Sequence, residues 1–133
     1  MDDPAAKLRA LNDNTFMAEA QQDIEGTPWD QYLQTVLTDD FRLRRSRADV
    51  EEETRAALIT RIAGTSRPVA REPVPGSVRV WASAGVGVIV SAVTLPDEAG
   101  NRQAYQNIKV CTRDPEGEWR CAYWQVTARP LPT

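Results

Sequence analysis

Any chemistry in this chain is done without histidine. None occurs among its 133 residues, which removes the commonest general base and every Ser–His or Cys–His arrangement. Two cysteines, Cys111 and Cys121, cannot build a tetrahedral zinc site alone. No glycine-rich phosphate loop or cluster of metal ligands is present, so the sequence suggests no cofactor and no metal. What remains is a set of polar and aromatic side chains at strand spacing: Tyr105, Asn107 and Lys109 on one run, Tyr123 and Gln125 on the next. Such a mixture suits a pocket that is mostly apolar with a few placed polar groups. Two placements are open to Lys109. A lysine midway along a sheet strand ordinarily faces solvent. Inside the fold, desolvation would lower its pKa and an anionic ligand could pair with it. Asn107 and Gln125 are either ordinary sheet amides or hydrogen-bonding partners for a ligand carbonyl or hydroxyl.

These residues are carried by two long runs, Arg102 to Arg113 and Glu118 to Arg129, rich in Val, Ile, Tyr, Trp and Thr. Between them, Asp114-Pro115-Glu116-Gly117 predicts a type I turn, with Pro115 fixing φ and Gly117 free to take φ > 0. A turn centred on Glu116 sets Cys111 opposite Cys121, and two buried reduced thiols are expected there. With a symmetric turn, Tyr123, Gln125 and Thr127 share the face of Tyr105, Asn107 and Lys109, whereas Ile108, Val110, Trp124 and Val126 take the other. A single bulge would swap the faces of the second strand relative to the first. The polar set is assigned to a pocket and the apolar set to a homodimer interface. The reverse assignment stays open, because the apolar face could equally pack helices.

Upstream, the chain reads as helices followed by strands. Pro4 to about Glu25 carries Leu8, Leu11, Phe16, Ala20 and Ile24 at near-helical spacing and ends at Gly26. Thr27 as N-cap and Pro28 at N1 start a second helix with a stripe of Trp29, Leu33, Val36 and Leu37, and Tyr32 beside it. Asp39 and Asp40 are read as ending it, with an extended piece at Phe41 to Arg45. Ser46 and Asp49 flag a third helix, with Val50, Ala57, Leu58 and Ile62 inward and Gly64 closing it. Gly64 to Ser77, with three prolines, is a connector or edge strand. Val78 to Ala82 is a short strand and Val86 to Leu95 a central one. Trp29, Phe41, Trp81 and Trp119 are expected mainly as core.

Composition sets outer bounds. At this length a single domain spanning 1–133 buries roughly two-thirds of its unfolded surface. A net charge of −3 argues against nucleic acid as a partner, and the arginines at 42, 44, 45 and 47 are flanked by acids. No apolar run reaches the roughly 18 residues of a membrane span. The acidic start MDDPAAKLRA lacks signal-peptide character, so a cytoplasmic location is expected.

Taken in order, the stripe into Leu37-Thr38-Asp39-Asp40-Phe41, the strand Val78-Arg79-Val80-Trp81, the apolar run at 87–93, and Gly117-Glu118-Trp119-Arg120 followed by Tyr123-Trp124-Gln125-Val126-Thr127 resemble the nuclear transport factor 2-like superfamily. Its SnoaL-like and ketosteroid isomerase-like members are included in that likeness. The resemblance implies an α+β cone, with three N-terminal helices packed on a strongly curved antiparallel sheet, a pocket between them, and pairing through the outer sheet face. Tyr32 and Phe41 join the ligand-contact set on this basis. Ketosteroid isomerase-like chemistry would place a carboxylate base near Arg45, a tyrosine near 17–21 and a protonated acid near Lys109, and none of these positions carries the required group. The expected function is therefore a small-molecule-binding or assembly domain for a small apolar or anionic ligand. The alternative is a cyclase, isomerase or dehydratase using Lys109 or Tyr105, and a purely structural dimerisation module is a third reading.

Overall fold

The computed structural model describes residues 3–45, 52–97 and 99–129. Its elements run α1 (Pro4–Glu19), α2 (Trp29–Val36), β1 (Leu37–Arg45), β2 (Glu53–Thr54), α3 (Arg55–Ala63), β3 (Glu72–Pro73), β4 (Arg79–Ala82), β5 (Val86–Pro96), β6 (Arg102–Arg113) and β7 (Trp119–Arg129). The strands form one curved sheet in the order β2-β1-β7-β6-β5-β3, with β4 also on β5. The helices cover its concave side. The fold class is α+β as expected, but the sheet is mixed: β1 runs parallel to β7, and the other pairings are antiparallel. Leu37 is both the C-cap of α2 and the first residue of β1. The strand thus reaches the open edge of β7 from a helix, without a hairpin to reverse its direction.

The helices differ from the sequence reading at their ends. α1 starts where Asp3 accepts from Ala6 N at 3.2 Å with Pro4 at its first position, as capping chemistry favours. It stops at Glu19 rather than near Glu25, because Gln21 turns to φ 58°. The Gln21 side chain donates to the carbonyls of Ile62 (2.7 Å) and Thr65 (2.8 Å), which ties this turn to the end of α3. Ala20 and Ile24 stay buried although the helix has ended. α2 is capped from a distance by Asp23, which accepts from Trp29 N at 3.3 Å, instead of by Thr27. Asp39 and Asp40 lie within β1 and do not close α2. The third helix follows β1 and β2 rather than joining the first two, and Thr54 caps it by accepting from Ala57 N at 3.1 Å. Leu58 and Ile62 face inward while Ala57 is exposed; Ser46, Asp49 and Val50 lie outside the described residues.

The terminal hairpin forms as its turn chemistry predicts. Gly117 takes φ 86° and donates to Asp114 O at 2.9 Å. Cys111 pairs with Cys121, both buried free thiols. One step further the register shifts: Val110 pairs with Tyr123, Lys109 with Trp124 and Ile108 with Gln125. Ala122 is the extra residue of a bulge, and from there the second strand's faces are exchanged.

Candidate functional site

The bulge decides which side chains enter the cone. Asn107 and Lys109 point inward from β6, and their cross-strand neighbours on the same face are now Val126 and Trp124. Trp124 and Lys109 are both wholly buried. Tyr123 and Gln125 share the outer face with Val110 and Ile108, so both are withdrawn from the pocket set. Trp124 and Val126 are likewise withdrawn from the expected dimer face. Among the predicted pocket residues, Tyr105 and Asn107 line a chamber, and Lys109 sits directly behind another. Phe41 is fully buried core and Tyr32 packs half-buried against the core on α2; neither lines the chambers described below. Burial also pushes the Tyr32 hydroxyl pKa up. Trp81 is no core residue; it is 53% exposed on the outer face.

Lys109 is not the solvent-facing lysine that a sheet strand ordinarily carries. Its ammonium lies 2.7 Å from Asn12 Oδ1 and 3.5 Å from the Asn12 carbonyl. The Phe16 ring centre is 3.7 Å from Nζ and that of Trp124 4.2 Å, both within cation–π range. The two rings meet edge to face at 5.9 Å. Every one of these partners is neutral, and burial lowers the pKa of the amine from 10.5 to about 8. The cage is held in turn by its neighbours. Asn12 Nδ2 donates to Ser91 Oγ at 3.3 Å, and Trp124 Nε1 donates to Asn107 Oδ1 at 2.7 Å. The sequence offered no signal that Asn12, Phe16 or Ser91 would meet Lys109, because they come from α1 and β5 rather than from the strand that carries it.

Two chambers open beside this cage. The larger, about 410 Å3, has walls that include Asn12, Phe16, Met17, Val78, Ser91 and Val93. The smaller, about 210 Å3, has Leu43, Val93, Leu95, Tyr105, Asn107 and Val126 among its walls. Phe16, Arg71 and Val93 border both. Arg45, Arg61 and Arg71 rim the smaller chamber with Glu19. Arg61 holds Glu53 through two bonds, at 2.8 and 3.0 Å, and Arg45 approaches the same carboxylate at 3.9 Å. Arg71 meets Glu19 at 3.4 Å. Three guanidinium groups thus face two carboxylates among the described residues, and Arg45 stands farthest from its acid. Arginine's planar fork suits a carboxylate ligand at such a rim.

No protein-family model and no curated protein matches the chain. Solved structures do. The CaMKII hub of S. rosetta is 16% identical with a TM-score of 0.74, over 97% of this chain and 99% of that one. An NTF-2-like protein from Silicibacter pomeroyi DSS-3 is 17% identical with a TM-score of 0.70, over 94% and 95%. A ketosteroid isomerase-like protein from Erwinia carotovora atroseptica SCRI1043 is 18% identical with a TM-score of 0.64, over 96% of each chain. At these identities the likeness shows the fold alone: this chain has the cone of the nuclear transport factor 2-like proteins. Among the described residues no helix is long and apolar enough to cross a membrane.

Proposed function

We propose that this domain binds a small amphipathic organic anion at the arginine-rimmed mouth and pairs with a second copy through its outer sheet face. The observation that carries the first part is the rim of Arg45, Arg61 and Arg71 above apolar walls. An anion held there would find hydrogen-bond donors at its head and Leu43, Val93, Leu95 and Val126 along its body. Binding is favoured over turnover by the residues themselves. The positions where ketosteroid isomerase-like chemistry would need a carboxylate base and a protonated acid carry Arg45 and Lys109. Pairing is supported by Ile108, Val110 and Tyr123 sharing the outer face, with Trp81 exposed on that face of β4. The S. rosetta hub and an association domain from Xanthomonas campestris share the fold, in keeping with self-assembly.

Thermal shift and calorimetry with a panel of aromatic and aliphatic carboxylates, each beside its methyl ester, test the binding. A true ligand at 100 times its Kd stabilises by about 2.7 kcal/mol. The acid is expected to raise Tm and the ester not, and Arg45→Gln with Arg61→Gln should abolish the effect. Equal shifts from acid and ester, or none from any acid, would reject the anion reading. For pairing, Ile108→Glu with Val110→Glu should convert a dimer to a monomer in light scattering, and an unchanged mass would remove this face as the interface.

A further inference from the structure

A fully buried ammonium whose partners are one amide side chain, a carbonyl and two aromatic rings is a costly way to fill a core. A methionine would occupy much the same space without the desolvation penalty. The position therefore asks for something that only an amine can do. We infer that Lys109 is a condensing amine, whose Nζ forms a reversible imine with an apolar aldehyde or ketone admitted through the 410 Å3 chamber.

Three features support this. The first is reach. Asn12 and Ser91 both line that chamber, and Asn12 Oδ1 is 2.7 Å from Nζ. The Phe16 ring, itself a wall of both chambers, lies over Nζ at 3.7 Å, and the Trp124 ring, which borders neither chamber, is 4.2 Å away. Phe16 is only half buried and separates the fully buried amine from both chambers, so access of a carbonyl compound to Nζ requires its ring to rotate. The second is the state of the nucleophile. Condensation needs the neutral amine, and burial brings the Lys109 pKa to about 8, whereas an ordinary lysine at pH 8 is less than about 1% neutral. The third is the surroundings. The neutral nitrogen adds to the carbonyl carbon, and the carbonyl oxygen takes up a proton to give a carbinolamine. Loss of that hydroxyl as water, with the nitrogen's remaining extra proton, leaves the C=N bond. No oxidant or reductant enters. Asn12 and Ser91 stand where they can hydrogen-bond the carbinolamine hydroxyl, and the apolar walls (Met17, Val78, Val93) disfavour the return of water. These apolar walls suit a hydrocarbon-bearing carbonyl compound, although Asp13 and Arg71 also border the chamber.

The chain makes the experiment clean, because its only lysines are Lys7 and Lys109. The native chain is incubated at pH 8 with butanal and sodium cyanoborohydride, which reduces any imine to a stable secondary amine. Alkylation at each lysine is then measured by mass spectrometry after Glu-specific digestion. Lys109 is expected to be labelled at least about tenfold faster than Lys7, and the preference should vanish in guanidinium. Phe16→Ala should raise the Lys109 rate further. Labelling of Lys7 at an equal or greater rate in the native chain overturns the inference, as does a Lys109 that reacts only after unfolding. Butanal carries no charge, so this outcome is independent of the carboxylate panel.

Discussion

Replacing Lys109 by methionine separates the charge of this residue from its volume. Burial lowers the amine pKa from 10.5 to about 8; at about 1.4 kcal/mol per pH unit, that difference corresponds to about 3 kcal/mol against folding while the group is charged. Removing the ammonium relieves this cost. It also removes the donor to Asn12 Oδ1, worth about 1.5 kcal/mol or somewhat more for a charged partner. Asn12 keeps its bond to Ser91. Lys109→Met is therefore expected to equal or exceed the parent at pH 7, by about 1 kcal/mol.

The pH profile gives a second, sharper reading. The folded chain releases the Lys109 proton near pH 8 and the unfolded chain near 10.5. Between these values the unfolded state binds more protons, so stability of the parent rises with pH by up to about 3 kcal/mol. Below pH 8 the penalty is fully present; above 10.5 it is gone. Lys109→Met lacks this rise. The groups around the amine include Glu19 and Asp13 from α1 and the Cys111 and Cys121 thiols on β6 and β7. Burial raises the Cys121 thiol and the Tyr32 hydroxyl, and both lose stabilisation as pH climbs past their unfolded values, opposing the lysine. The difference between the two proteins in urea denaturation from pH 7 to 11 isolates the Lys109 contribution. Parallel profiles, or a methionine variant weaker by more than about 2 kcal/mol at pH 7, would make the ammonium a stabilising structural cation and refute the reasoning.

Other substitutions probe the frame around the cage. A Cβ at Gly87 would lie 2.5 Å from Leu8 Cδ1 and 3.0 Å from Cδ2, and Leu8 is wholly buried, so Gly87→Ala should cost about 1–3 kcal/mol by denaturant midpoint. Asn107→Leu leaves the buried Trp124 Nε1 without its acceptor and should cost about 1–3 kcal/mol, with a change in tryptophan fluorescence. Thr54→Ala removes the α3 cap and should cost about 1 kcal/mol.

Much of the fold was legible because turn and strand chemistry are local. Asp114 to Gly117 specified its own turn, Val86 to Leu95 specified a strand inside the sheet, and the cysteine pairing followed from counting outward from Glu116. Helix ends were less so. Ile24 keeps helical spacing with Leu11 and Phe16, yet Gln21 leaves the helix to bond carbonyls some forty residues away, a tertiary tie that no window of sequence contains. The direction of β1 was equally hidden, since nothing in Leu37 to Arg45 tells which neighbour it will meet. Lys109 and Asn107 were visible as inward candidates from β6 alone. Asn12, Phe16 and Ser91 were not, because apolar periodicity on α1 and β5 says only which residues are buried.

The bulge at Ala122 ties the inner and outer surfaces together. Without it, Lys109 would face Tyr123, whose hydroxyl could satisfy the ammonium, and Trp124 would join Ile108 and Val110 outside. With it, the indole lies 4.2 Å from the ammonium, and the phenol moves to the outer face. The inner cage thereby loses a polar partner while the outer surface loses its largest apolar one. One extra residue in β7 thus makes the cavity drier and the external face more polar than the strand pattern alone would have it. A chain selected only for sheet stability would gain nothing from a charge enclosed in this way. The amine chemistry proposed for Lys109 would give the inner half of that arrangement a purpose, and the proposed pairing through Ile108, Val110 and Tyr123 would account for the outer half.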